Sequence, residues 1–390
     1  MHRTPRSRCA LKTLAAAIPA FWFLLVLAAC RPRPEFDPTY HEFAYVSNGK
    51  GDSVSVIDTL TLRNVKTINV GKNPTGLAVN PVRNEVYVVN TESNNVSIIN
   101  TEKNEVVATI GAHRAPYFVS VSTDGKRAYV ANSGSWNVSV INLDKRAVMA
   151  TIPVENAPGL ARVSPDGSVV VVSNRGANTV SLIDAQKLAV RRTLAVCSEP
   201  QDIVILPDSS KAYVSCPGNN QLASIDLKTD KVVALLDMGK LPIQMALKPD
   251  GGEIFVSNFD GNTFSIVEAY TNEVSGSYLI GRNPVRGLVT SDNLLLYVSN
   301  FGSDNVSVYA IDEGRVIGSV GVGSRPDGLA LTPNEDHLLV VDTKSGDVAV
   351  IRTTKTRDNS KISAERALVT MIPVGNQPND IVIKAFKSGK

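Results

Sequence analysis

The sequence predicts an all-β fold, a β-propeller of four-stranded antiparallel blades, and three observations predict it. The phrase Tyr45-Val46-Ser47-Asn48 returns in register at Tyr87, Tyr129, Val171, Tyr213, Phe255, Tyr297 and Leu339, each 42 residues after the last. A fixed period of about 40–45 residues is the length of one propeller blade. Each unit carries four short runs rich in β-branched and aromatic residues, and no stretch sustains a helical period. A proline keeps the same interval, at Pro74, Pro116, Pro158, Pro200, Pro242, Pro284 and Pro326.

Within the second unit the runs fall at residues 86–89, 96–99, 105–110 and 117–121. They are strands B, C, D and A, where A follows D in the chain but belongs to the next blade. Ser122-Thr123-Asp124-Gly125, Ser164-Pro165-Asp166-Gly167 and Lys248-Pro249-Asp250-Gly251 join A to B. Pro and Asp favour the start of a tight turn and Gly accepts positive φ, so each A–B pair is a hairpin. The recurring proline opens strand A, where a missing N–H costs no ladder hydrogen bond. The eighth, Pro378, comes ten residues late because residues 353–365 form a polar insertion in the last C–D loop. Eight sets of strands result, with seven blades as the alternative. The first unit lacks an A strand and the chain ends on one, so the C-terminal strand is expected to pair with residues 43–47 and close the ring, leaving no open end.

Before this repeat stand Arg3, Arg6, Arg8 and Lys12, then an apolar run of sixteen residues over 14–29, the charged and hydrophobic regions of a signal peptide. Such a run falls short of the roughly 20 residues that span a bilayer. It ends Leu27-Ala28-Ala29-Cys30, which resembles the bacterial lipobox. Residues 1–29 therefore read as a lipoprotein signal peptide, Cys30 as the lipidated residue, 30–42 as a Pro-rich tether and 43–388 as the propeller; an uncleaved anchor or an ordinary signal peptide is the alternative. Twelve tether residues reach about 40 Å. The expected location is extracytoplasmic, held to the membrane by lipid on Cys30. Arg31 rather than Asp after that cysteine resembles outer-membrane cargo if the cell is Gram-negative. Removing 1–29 lowers Lys+Arg from 40 to 36 against 37 Asp+Glu, so the mature chain is near neutral and gives no support for a nucleic-acid partner.

The combination Tyr-Val-x-Asn, Val-Ser-Val-Ile-Asp and Thr-Ile-x-Val-Gly-x-x-Pro resembles the YVTN-type β-propeller repeat proteins of bacterial and archaeal surfaces, over residues 44–386. The resemblance implies a periplasmic or cell-surface binding or scaffold role and transfers no catalytic residue. Members commonly have seven blades, where the count here is eight.

The recurring Asn (Asn48, Asn90, Asn132, Asn174, Asn258, Asn300) is expected to bond its own backbone and tolerate the left-handed conformation, shaping the B–C turn. The Ser of Val-Ser-Val is expected to bond between blades. His41, His113 and His337 are scattered without ligand spacing, and no Gly-rich phosphate loop precedes a helix, so neither metal nor cofactor is expected. Cys197 and Cys216 lie at the start and end of two strands of one hairpin, which allows a disulfide if their Cα atoms come within about 7 Å; two buried thiols are the alternative.

Two residues before the prolines stand Lys72, Arg114, Lys240 and Arg282, with His113, Arg286 and Arg325 nearby. These seven are the candidate ligand-binding residues: a basic arc in the loops leaving blades 1, 2, 5 and 6, able to raise the local potential for an anion. The reading that follows is a non-enzymatic module for a protein, glycan or small anionic ligand. A lactonase-like hydrolase is the alternative, for which only His113, Glu199 and Asp202 with Arg114, Arg282 or Arg286 would serve.

Overall fold

The computed structural model describes residues 37–353 and 367–389. The expected signal peptide, Cys30, most of the expected tether and nearly all of residues 353–365 lie outside the described residues. What is described is eight four-stranded antiparallel sheets, so the count of eight holds and seven does not. Blade 1 holds Tyr40–Asn48, Ser53–Asp58 and Arg63–Asn69 with the C-terminal strand Pro378–Lys387; blades 2 to 8 follow in chain order. The closing pair runs from Tyr40 beside Lys387 to Asn48 beside Pro378, so the ring takes in residues 40–42, which the sequence assigns to the tether.

The eight A strands touch one another in sequence, the last returning to the first, and line a central channel. D strands form the rim, and most residues of Arg63–Asn69 are exposed. Each C–D pair shifts register at one equivalent point, as at Val56/Ile57 and Ile98/Ile99, so every outer strand carries a bulge that increases its twist. Apolar packing lies between blades rather than within them. Tyr45, Val54 and Val56 of blade 1 pack on Leu77, Val86 and Val88 of blade 2, and each of the other junctions has a cluster of the same kind.

Two expectations about the repeated polar residues change. Asn48 has φ −108°, and the left-handed residue falls four places later, at Asp52, Asn94, Trp136, Asn178, Asn220, Asn262 and Asp304. The buried Asn instead donates its side-chain amide to the Ser of Val-Ser-Val seven residues on, at 2.8–3.0 Å in six blades. That Ser is thus occupied inside its own blade, although Ser307 also donates to Ile280 O of the preceding one. Bonds between blades come from the serine before the Asn, such as Ser173 to Gln201 O and Ser299 to Asp327 O. The glycine three residues before Pro74, Pro242, Pro284, Pro326 and Pro378 packs against the residue at this same Asn position: a Cβ on Gly281 would stand 2.3 Å from Asn300 and one on Gly375 2.5 Å from Asn48.

Blade 8 breaks the relay, with Asp342 in place of Asn and Ala349 in place of Ser. Asp342 is fully buried and neither carboxyl oxygen has a hydrogen-bond partner. Burial, and then the neighbouring Asp347 carboxyl, push its pKa well above the ordinary carboxylate value. The folded protein therefore holds a proton that the unfolded chain releases above about pH 3.9, and this contribution to stability is lost as pH rises. Asp342→Asn, which restores the Asn and removes the buried acid although Ala349 still lacks the Ser hydroxyl, is predicted to raise stability by about 1–3 kcal/mol at pH 8. Urea unfolding at several pH values checks this, with the gain shrinking towards pH 4.

Candidate functional site

The D–A and B–C loops meet at one end of the channel, and the repeat fixes their backbone. The residue before each proline is left-handed, among them Asn73, Ala115, Glu199, Leu241 and Arg325. Its N–H is donated to the Asp or Asn that is itself left-handed in the preceding B–C loop, as from Asn73 to Asp52 and from Leu241 to Asn220. One residue earlier, the N–H groups of Lys72, Arg114 and Arg282 are donated to Ser93, Ser135 and Ser303. With the backbone tied on both counts, the side chains at these positions point free of the scaffold.

Lys72, Arg114, Lys240 and Arg282 are exposed and make no ion pair among the described residues. They do not form one arc. Lys72 and Arg114 bracket blade 2 while Lys240 and Arg282 bracket blade 6, which places two basic pairs on opposite sides of the ring. His113 is held by Thr151 Oγ1 at 3.0 Å, and the Arg325 guanidinium lies 5.3 Å from the centre of the Phe301 ring.

Arg286 departs from the expectation, since it sits in the channel and not on the loop rim. Its guanidinium is 3.4 Å from both Asp327 and Asp380. Gly328, which occupies the matching position on the intervening blade, leaves the path to Asp380 open. A third of the Arg286 side chain remains exposed to the channel. Burial opposes its charge, but Asp380, Asp327 and Asp202 outweigh that and hold it protonated. Burial pushes the Asp327 carboxyl up, against the pull of Arg286.

The buried acids also clamp neighbouring blades: Asp380 accepts the Leu77 N–H at 3.0 Å and Asp202 accepts the Met245 N–H at 2.9 Å. Arg162 stands 3.5 Å from Asp202 and lies over the Phe118 ring. These charges answer one another, so the channel network is a staple between blades. Arg286→Met is predicted to cost about 1–3 kcal/mol at neutral pH, the low end for a broken ion pair because channel water remains. Without Arg286 the Asp327 carboxylate loses the partner that offsets its burial, so the loss measured by urea unfolding should shrink as pH falls and Asp327 takes up a proton.

Cys197 and Cys216 are bonded, with Cα atoms 5.6 Å apart. They occupy the places held by Gly and Asn at Gly71/Asn90, Gly239/Asn258, Gly281/Asn300 and Gly375/Asn48, so the disulfide is a covalent form of that contact. It ties the D–A loop of blade 5 to its B–C loop, and the short A strand Ile203–Ile205 begins only beyond that tie. Beside it the loop face opens into a cavity of about 340 Å³ lined by Tyr117, Ser133, Arg175 and Glu199, with Gly159 and Gly176 among the floor residues. A second cavity of about 300 Å³, reached by Arg162, Pro165 and Met245, lies towards the other end. Sequence reasoning does not single out Tyr117, Ser133 and Arg175. The signal that finds Tyr117 and Arg175 is their register, because each departs from its counterparts in the other blades, whereas Ser133 matches the hydroxyl residues Thr91 and Thr343 and carries no such signal.

A profile for the Choice-of-anchor I domain matches residues 41–300, two thirds of the chain, and one for Lactonase, 7-bladed beta-propeller, matches residues 287–369. No curated protein matches significantly. Among solved structures, the dihydro-heme d1 dehydrogenase NirN in complex with DHE is similar at 16% identity and TM-score 0.73, over 91% of this chain and 78% of that one. A functionally unknown protein from Desulfotomaculum acetoxidans is similar at 18% identity and TM-score 0.60, over 87% and 98%. Kuenenia stuttgartiensis hydrazine synthase is similar at 19% identity and TM-score 0.58, over 72% and 96%. At these identities the likeness to solved structures is one of fold.

Proposed function

The chain belongs to the Choice-of-anchor I domain family, and on that footing we propose that it is a lipid-anchored, extracytoplasmic binding module. Its Pro-loop face is turned to an acidic partner, whether the acid is carried by a protein, a glycan or a small ligand. The observation that carries this reading is the set of four cations, Lys72, Arg114, Lys240 and Arg282, without an ion-pair partner among the described residues and carried on the end of the ring opposite the chain's entry. Tyr40 enters beside Lys387, and Glu42 O accepts the Thr59 N–H from a C–D turn, so entry is on the A–B and C–D side. Thr353 and Ala367, which flank the last C–D insertion, are on that side too. Lipid on Cys30 then holds that side to the membrane, the outer one if the cell is Gram-negative, and the cationic face looks away from it. No cofactor enters this reading.

The hydrolase alternative gains nothing comparable. The lactonase match at 287–369 contains none of His113, Arg114, Glu199, Asp202, Arg282 and Arg286, and the structure engages Arg286 and Asp202 in ion pairs while Thr151 holds His113.

Replacing Lys72, Arg114, Lys240 and Arg282 together by Ala is predicted to abolish capture of the acidic partner from envelope extracts. Wild-type binding to poly-L-glutamate should weaken steeply with salt, and the variant's residual binding should not. A variant that captures and binds as wild type would overturn the reading.

A further inference from the structure

An eightfold repeat supplies its own controls. A residue type present in all blades is scaffold, whereas one present in a single blade is under another constraint. Four residues in three registers depart from the repeat at the cavity between blades 3, 4 and 5. One place after the proline, Tyr117 is the only aromatic residue and Gly159 the only glycine among Thr75, Gln201, Ile243, Val285, Asp327 and Asn379. One place after the phrase, Arg175 is the only charged residue among Gly49, Thr91, Ser133, Pro217, Phe259, Phe301 and Thr343. Before the proline, Glu199 is the only acid among Asn73, Ala115, Ala157, Leu241, Asn283, Arg325 and Gln377.

These departures fit together physically. A Cβ on Gly159 would come within 3.0 Å of the Arg175 side chain, so the glycine makes room for that arginine. The Cys197–Cys216 bond lies two residues before Glu199, and Gly218 packs so closely on Glu199 that a Cβ there would stand 3.1 Å from its Cγ. The acid is therefore held against the cavity wall by a covalent tie found at no other described junction. Arg175 and Glu199 face one cavity without pairing to each other within 4.0 Å. A singly charged ligand would answer one of them and leave the other without a partner.

We propose that this cavity binds a small zwitterion carrying a carboxylate and an ammonium group, of amino-acid or dipeptide size. The carboxylate meets the Arg175 guanidinium, the fork-shaped donor suited to it. The ammonium meets Glu199 beside the half-exposed Tyr117 ring, which adds a cation–π contact. A volume of about 340 Å³ is at the lower end for small-molecule sites, which fits a ligand of this size. The inference rests on the reading of this end of the ring as the ligand face, but not on Lys72, Arg114, Lys240 or Arg282.

The test is ligand-observed NMR with the wild-type protein, its disulfide intact, against mixtures of the common amino acids and of dipeptides, followed by calorimetry on any hit. The expected result is saturable binding of at least one zwitterion, weakened about tenfold or more by N-acetylation and likewise by C-terminal amidation, each of which removes one charge-assisted bond. In Glu199→Gln the penalty for N-acetylation should vanish while that for amidation stays, and in Arg175→Met the reverse should hold. The variant lacking the four rim cations should bind the zwitterion as wild type does, although it loses poly-L-glutamate. No saturable zwitterion at millimolar concentration, or binding indifferent to both blocked ends, overturns the inference. If poly-L-glutamate still binds in that case, only the inference about the cavity fails; loss of polyanion binding alone would instead remove the reading of the cationic rim.

Discussion

Antiparallel pairing of Tyr40–Asn48 with Pro378–Lys387 is the contact on which the remaining structure depends, because it converts a row of blades into a ring. An unclosed row would expose an edge and one unpaired blade face. Once closed, every blade packs on two others, and the apolar core is divided among eight junctions rather than gathered in one place. Closure also brings the eight A strands together. Acids on them, such as Asp202 and Asp380, can then hold the backbone of the next blade and pair with arginines across the channel.

The same regularity decides where function can reside. Asn, Ser and Gly of the repeat are engaged with one another, the Asn amide with the Ser hydroxyl and the glycine against the Asn side chain, while the buried Oδ1 of Asn90, Asn132, Asn174, Asn258 and Asn300 has no partner. Groups spent in this way are not available to a ligand. What remains is the set of positions whose backbone is tied but whose side chain is free, and these gather where the D–A and B–C loops meet. The rim cations and the cavity at Arg175 and Glu199 are both products of that arrangement. They differ in scale: the first suits a broad acidic surface, the second a small molecule.

Much of this was legible in the residues. The 42-residue interval gives the blade, the strand count gives eight, and the unmatched first and last strands give closure. The spacing of Cys197 and Cys216 gives their proximity, because the two ends of a hairpin lie side by side. The positions of left-handed residues were not legible. Asn48 and Asn94 are the same residue type in one kind of turn, and only the hydrogen bonds of the folded loop decide which of them takes positive φ. Nor was the place of Arg286, because its reach into the channel depends on a glycine in the neighbouring blade and on acids about 40 and 94 residues away in sequence. The cavity is hidden for a related reason: Tyr117 belongs to one unit and Arg175 and Glu199 to another, 58 and 82 residues further on, and they become neighbours only after the blades have packed.

The scaffold is the repeat, and the recognition proposed for it belongs to the loop face away from the chain's entry. Hydrogen–deuterium exchange on the protein with and without its captured envelope partner tests this most directly. The predicted result is new protection confined to the D–A and B–C loops, including the segments around Lys72, Arg114, Lys240 and Arg282. Protection on the A–B and C–D loops or on the outer D strands, with the Pro-loop face unchanged, would contradict it.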